Sequence, residues 1–191
     1  MKNKLILKEL ENYFSHNILD DKKYTKNLID KYGSDTFSYG TTPYDTFKTL
    51  YDNIKNKPNR FIVVGCSIGW MNFYWNDLNP NIETIGIDIH DYRLDFGKKI
   101  IDKYDLKNIS LSNESFETFE FKEGDLVWES NLCFPNDLNN KCNSDLINKI
   151  SNISIISYKY IDVMKNFNEI KLNLPVSWKK DQTFYIYERI K

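Results

Sequence analysis

The sequence predicts an α/β fold: a mostly parallel sheet covered by helices and closed by an antiparallel hairpin. Three observations predict it. Short apolar runs alternate with helical patterns between Phe61 and Tyr158, the arrangement of parallel strands joined by right-handed crossovers. The stretch Arg60–Asp91 reads as strand, glycine loop, helix, strand and acid, a unit that presents a helix N-terminus to a nucleotide. Finally, Glu169–Trp178 and Thr183–Ile190 alternate apolar and polar residues around Lys179-Lys180-Asp181-Gln182, which reads as a hairpin.

Taken in order, residues 3–18 carry a helical stripe of Leu5, Leu10, Tyr13, Phe14 and Ile18. A second helical piece spans about 22–32 and is stopped by Gly33. Together they predict an N-terminal helical cap over 1–34, with 35–191 as a single globular unit. Asp35–Thr42 is a polar loop. Pro43 stands at a plausible first helical position, followed by the face Tyr44, Phe47, Leu50, Tyr51 and Ile54. Phe61–Val64 reads as a strand buried on both faces. A helix follows Gly69 through Asp77, then the strand Thr84–Ile87 and a helix over Asp91–Tyr104. Ile109–Leu111, Leu126–Trp128 and Ile153–Tyr158 are three more strands, with a helix over Asp137–Ile150. Pro175 predicts an edge or a bulge in the first arm of the hairpin.

The loop Gly65-Cys66-Ser67-Ile68-Gly69 admits two rival readings. It lacks the full G-x-G-x-x-G, since Ser67 takes the middle position, so close approach of a dinucleotide pyrophosphate is disfavoured. It also fits the hydrolase nucleophile elbow G-x-S-x-G. That chemistry needs an acid and then a histidine downstream, yet the only histidines are His16 and His90, and no glycine-rich oxyanion loop is present. The strand ends instead gather Gly65, Ser67, Gly69, Asp88, Phe116 and Asn131 on one edge. Asp88, 23 residues after Gly65, is placed to accept hydrogen bonds from ribose hydroxyls.

With 191 residues, 41% of them hydrophobic, the chain is long enough to bury a core as one domain. Its net charge of −1 gives no global case for nucleic acid. The charge is uneven: residues 1–33 hold seven lysines against five acids, and 153–191 seven basic residues against four acids, leaving the middle acidic. Cys66, Cys133 and Cys142 are odd in number and form no C-x-x-C, which predicts a reducing compartment and no metal site. Leu5-Ile6-Leu7 is too short for a signal peptide, and no membrane span is expected. The chain reads as intracellular, cytoplasmic or nuclear.

A closing hairpin on an otherwise parallel sheet is the pattern of the Rossmann-like class I methyltransferases, and several segments narrow the likeness. Ser38–Asp45, SYGTTPYD, resembles the Y-G-E-T-x-x-D loop of the non-SET histone-lysine methyltransferases, the disruptor-of-telomeric-silencing family, with Thr41 in place of Glu. Phe61–Gly69 resembles its F-V-D-L-G-S-G-x-G, and Gly86-Ile87-Asp88 its G-V-E. Ser130–Pro135 resembles N-N-F-x-F-G-P, Ile155–Lys159 resembles I-V-S-S-K, and Val176-Ser177-Trp178 with Tyr185 resembles V-S-W and its following Y-Y. These six blocks keep their order over about residues 38–191. Val63 replaces the family's first-strand acid, Ser67 its middle glycine, Trp70 a Gln and Ser130 the first Asn. The family's basic nucleic-acid-binding tail has no counterpart.

The resemblance implies S-adenosylmethionine as cofactor. It implies that Tyr39, Thr42, Gly65, Ser67, Gly69, Asp88, Ser115, Phe116 and Asn131 bind it. Phe116 would stack on adenine, with Glu114 or Ser115 near the amino group. Asn131, Phe134, Trp178 and Tyr185 would form the reacting end, the three aromatic rings lining a channel for lysine. The implied partner is a protein substrate, histone included. Two alternatives stay open: the same fold acting on RNA or a small molecule, and a catalytically silent binding module.

Overall fold

Phe61, Ile62, Val63 and Val64 are all buried, and their alternation sends Phe61 and Val63 to one side of the sheet and Ile62 and Val64 to the other. Such a strand belongs at the centre of a sheet covered on both faces. The computed structural model describes residues 2–17, 29–30, 40–162 and 166–190. Its strands are β1 (Arg60–Val64), β2 (Glu83–Asp88), β3 (Ile109–Asn113), β4 (Asp125–Glu129), β5 (Ser154–Ser157), β6 (Phe167–Val176) and β7 (Lys179–Arg189). They form one seven-stranded sheet in the order β3-β2-β1-β4-β5-β7-β6. Neighbours from β3 to β5 are parallel, whereas β7 runs antiparallel to both β5 and β6.

The helices are α1 (Lys2–Asn17), α2 (Tyr44–Asp52), α3 (Trp70–Leu78), α4 (Asp91–Lys103) and α5 (Asn136–Lys149). Four of them cover one face. Ile6 and Leu10 of α1, Phe47 and Leu50 of α2, Phe73 and Trp75 of α3, and Leu94 and Ile100 of α4 share a core with Phe61, Val63, Leu126 and Trp128. The Phe61 and Trp75 rings stack there at 4.2 Å. Each fully buried large side chain contributes about 1.5–3 kcal/mol. The second face is packed by Cys142, Leu146 and Ile147 of α5 and by Phe116, against Ile62, Val64, Val127 and Ile155. At the amino edge, the Arg60 guanidinium donates to both Asp125 oxygens at 2.9 and 2.7 Å, tying β1 to β4.

Two expectations shift. Pro43 is the residue before α2, with an extended ψ of 152°, not its first helical residue. The hairpin turn is Ser177-Trp178, and Lys179–Gln182 lies within β7, with Val176 opposite Lys179. Lys-Lys-Asp-Gln has the polarity of a turn, but the turn is fixed from outside: the Ser177 amide donates to Thr41 O at 3.0 Å, and the Thr41 amide donates to Ser177 Oγ at 2.9 Å. Pro175 sits on the edge strand at a register irregularity between Leu174 and Val176, as its missing N–H requires. The helical piece expected over 22–32 and the cap boundary at 34 lie largely outside the described residues. Among the described residues, no helix is long and apolar enough to cross a membrane.

Candidate functional site

A cavity of about 450 Å³ opens at the carboxyl ends of β1, β2 and β4, the edge where open α/β sheets bind ligands. Its floor is the turn after β1. Gly65 has φ +73°, and a Cβ there would stand 3.3 Å from both the Phe134 ring and Ser130. Glycine is therefore required twice, by the backbone and by the close approach. Ser67 also adopts a left-handed φ of 53°, which disfavours an L-residue by about 1–2 kcal/mol. It is held there by Asp88. One Asp88 oxygen accepts the Ser67 amide at 2.7 Å and the other accepts the His90 amide at 2.9 Å.

Asp88 remains 8% exposed at the cavity wall, and each of its oxygens keeps a lone pair for a ligand. Ser67 Oγ lines the same cavity, buried and without a hydrogen-bond partner among the described residues. A buried hydroxyl in that condition favours a polar ligand group beside it. Glu114, Ser115, Phe116 and Glu117 line the cavity beyond β3. Burial pushes the Cys66 thiol well above its ordinary pKa, so it is an inert wall and not a nucleophile.

The opposite end is aromatic. Trp178, 44% exposed at the hairpin turn, lies so close over Gly40 that a Cβ there would meet its ring at 2.1 Å. Tyr158 packs against Trp178 at 5.9 Å between centroids and shares a 2.6 Å hydrogen bond with Thr42 Oγ1. Burial raises the Tyr158 phenol, which keeps it neutral. Leu132, Cys133 and Phe134 also line the cavity.

Of the residues singled out in the sequence, Thr42, Gly65, Ser67, Asp88, Ser115, Phe116, Phe134 and Trp178 converge on the cavity. Gly69 does not line it. With φ +93°, it precedes α3 and packs toward Leu111 and Phe73. Asn131 is fully buried behind the cavity wall, donating to Glu129 at 2.7 Å and Asn139 at 2.8 Å and lying 2.9 Å from Ser157 Oγ. Tyr185 belongs to the other face of the sheet, stacked 6.1 Å from Tyr187 and near Tyr160, so it does not share a channel with Trp178. Tyr39 lies outside the described residues.

Tyr158 and Glu129 had no expected role. The four-residue β5 places Tyr158 just past its carboxyl end, a position its strand block already marked. Glu129 ends β4 fully buried, and the lone acid after the apolar run Leu126-Val127-Trp128 was its signal.

The fold has many solved counterparts. The M. capricolum TrmK bound to S-adenosyl-homocysteine matches with a TM-score of 0.56 at 17% identity, over 76% of this chain and 67% of that one. An RNA methyltransferase from Salinibacter ruber, also with S-adenosyl-L-homocysteine, matches at 0.57 and 13%, over 78% and 94%. A methyltransferase from Geobacter sulfurreducens matches at 0.59 and 10%, over 79% and 81%. The chain therefore has the class I methyltransferase fold. No family model and no curated protein sequence matches it.

Proposed function

We propose that this chain is an S-adenosylmethionine-dependent methyltransferase that modifies a protein lysine. The observation that carries the cofactor reading is one cavity holding the Gly65 turn, Asp88 at the end of the neighbouring strand and the unpartnered Ser67 hydroxyl. The free lone pairs of Asp88 would accept the ribose hydroxyls. Phe116 would face adenine, with Ser115 or Glu114 beside its amino group, and Ser67 and Trp70 would lie nearer the methionine end. When bound, the cofactor supplies an electrophilic methyl group on a sulfonium. The chain then has to align an acceptor and keep water out.

Thr42, Phe134, Tyr158 and Trp178 support an acceptor end of that kind. A lysine must arrive neutral, and apolar rings lower its pKa by desolvation while their faces attract the ammonium form. The choice of lysine rests on the six sequence blocks, two of which bring Phe134 and Trp178 to the cavity. RNA is the second reading, favoured by the name of the Salinibacter protein.

The test offers labelled S-adenosylmethionine with histone and other lysine peptides in one arm and total RNA in the other. Label on lysine is expected. Label on RNA alone would replace the acceptor, and a folded chain that binds no cofactor would leave only the silent binding module.

A further inference from the structure

Behind the cavity wall, Glu129 of β4, Asn131, Asn139 and Asn143 of α5, and Ser157 of β5 form a buried polar cluster, none more than 3% exposed. One Glu129 oxygen, Oε2, accepts from Asn131 Nδ2 at 2.7 Å and Asn143 Nδ2 at 3.3 Å. Among the described residues the other, Oε1, has no partner, and neither does Asn131 Oδ1 nor Asn143 Oδ1. Three buried acceptors in the cluster therefore lack a donor among the described residues. The Asn131 amide has two hydrogens, yet three acceptors stand within 2.9 Å of its nitrogen.

A single proton on Glu129 resolves most of this. It converts Oε1 from an unmet acceptor into a donor within the cluster. Burial raises the Glu129 carboxyl to about 7, against the lowering effect of the neighbouring Asn143, Ser157 and Asn131. Cys142 of α5 is the titratable group that also feels Glu129, and its thiol is itself raised to about 11. Lys159 approaches the cluster through its backbone, its amide donating to Ser157 Oγ at 3.1 Å, while its ammonium donates to Phe134 O at 2.8 Å and Asn136 Oδ1 at 3.2 Å.

The cluster therefore grips Phe134 from two sides. Through Asn131 it holds the turn in which the Phe134 amide donates to Asn131 O at 3.1 Å. Through Ser157 it holds Lys159, which caps the Phe134 carbonyl. Phe134 in turn packs on Gly65 in the cavity floor. We propose that Glu129 is a positioning residue, kept as a neutral carboxylic acid whose Oε1–H donates within the cluster and fixes the Ser130–Phe134 turn against the cofactor cavity. Ionisation of Glu129 releases that turn and weakens the site. The part of this that concerns the cofactor rests on the function proposed above.

The test compares wild type with Glu129→Gln, which keeps the shape and supplies a permanent N–H donor. Affinity for S-adenosylhomocysteine is measured by calorimetry from pH 5.5 to 9. The dissociation constant of wild type should rise above pH 7, by up to about tenfold per unit, relative to a variant without that slope. The ligand's own amino group titrates equally with both proteins and cancels. Identical profiles, or a flat wild-type profile with binding intact, would overturn the proposal. Absence of binding at every pH would instead remove the cofactor reading. The infrared spectrum of wild type decides the protonation independently: a buried protonated carboxyl band at pH 5.5 that disappears above pH 8 is expected, and its absence at pH 5.5 refutes a neutral Glu129 even if the variant fails to fold.

Discussion

The glycine-turn end of the cavity comes mostly from one stretch, Val63 to Arg93, joined by Glu114–Glu117. The aromatic end is assembled from Gly40–Thr42, Leu132–Phe134, Tyr158 and Trp178, brought together from distant parts of the chain. The first end is held by backbone geometry: a positive φ at Gly65 and Ser67, and two amides on Asp88. The second is held by side chains crossing between elements, Thr42 to Tyr158 and Lys159 to Phe134. The first should therefore respond to substitutions that change backbone freedom and the second to the loss of long-range contacts, which permits the two to be perturbed separately.

The largest expected effect concerns the turn that carries Phe134. The folded pKa of Glu129, about 7, lies above its ordinary 4.5, so the folded chain binds that proton more tightly than the unfolded chain does. Its contribution is full below about pH 4.5 and is lost as pH rises toward 7, by roughly 3 kcal/mol at most. Denaturant unfolding of wild type minus that of Glu129→Gln, measured across this range, should show the loss.

Asp88→Ala acts on the other end. It should weaken S-adenosylhomocysteine binding by on the order of 1.5–3 kcal/mol, whereas Trp178→Ala should lower methyl transfer and leave that affinity nearly unchanged. Equal losses of affinity in both variants would dissolve the distinction between the ends. Gly65→Ala should cost about 1–2 kcal/mol of stability from the left-handed backbone, visible as a lowered melting temperature, and should also displace Phe134. Tyr185→Phe is the smallest perturbation. Facing away from the cavity, it should leave cofactor affinity and turnover unaltered and move stability by no more than about 0.5 kcal/mol.

The same contrast explains what could be read from the sequence. The alternation of strands and helices and the Gly65–Asp88 unit were legible because local periodicity and glycine placement encode them. The buried position of Asn131 was not legible, because its partners Glu129, Asn139 and Ser157 meet it only across β4, α5 and β5. The hairpin turn was displaced because Thr41 and Gly40, far away in sequence, select Ser177-Trp178 over the more polar residues that follow. Tyr185 is a different case. On β7, Phe184 and Ile186 face the helix-covered core and Tyr185 and Tyr187 the other side. That alternation was present in the sequence and argued against placing Tyr185 beside the acceptor.

The central claim is that Asp88 and the Gly65 turn bind S-adenosylmethionine. Calorimetric titration of the chain with S-adenosylhomocysteine tests it most directly, with Asp88→Ala and Tyr185→Phe as paired variants of verified fold. One-to-one saturable binding, weakened at least tenfold in Asp88→Ala and unchanged in Tyr185→Phe, is the predicted result, tenfold being about 1.4 kcal/mol. No binding by the folded wild type, or undiminished binding by Asp88→Ala, would contradict it.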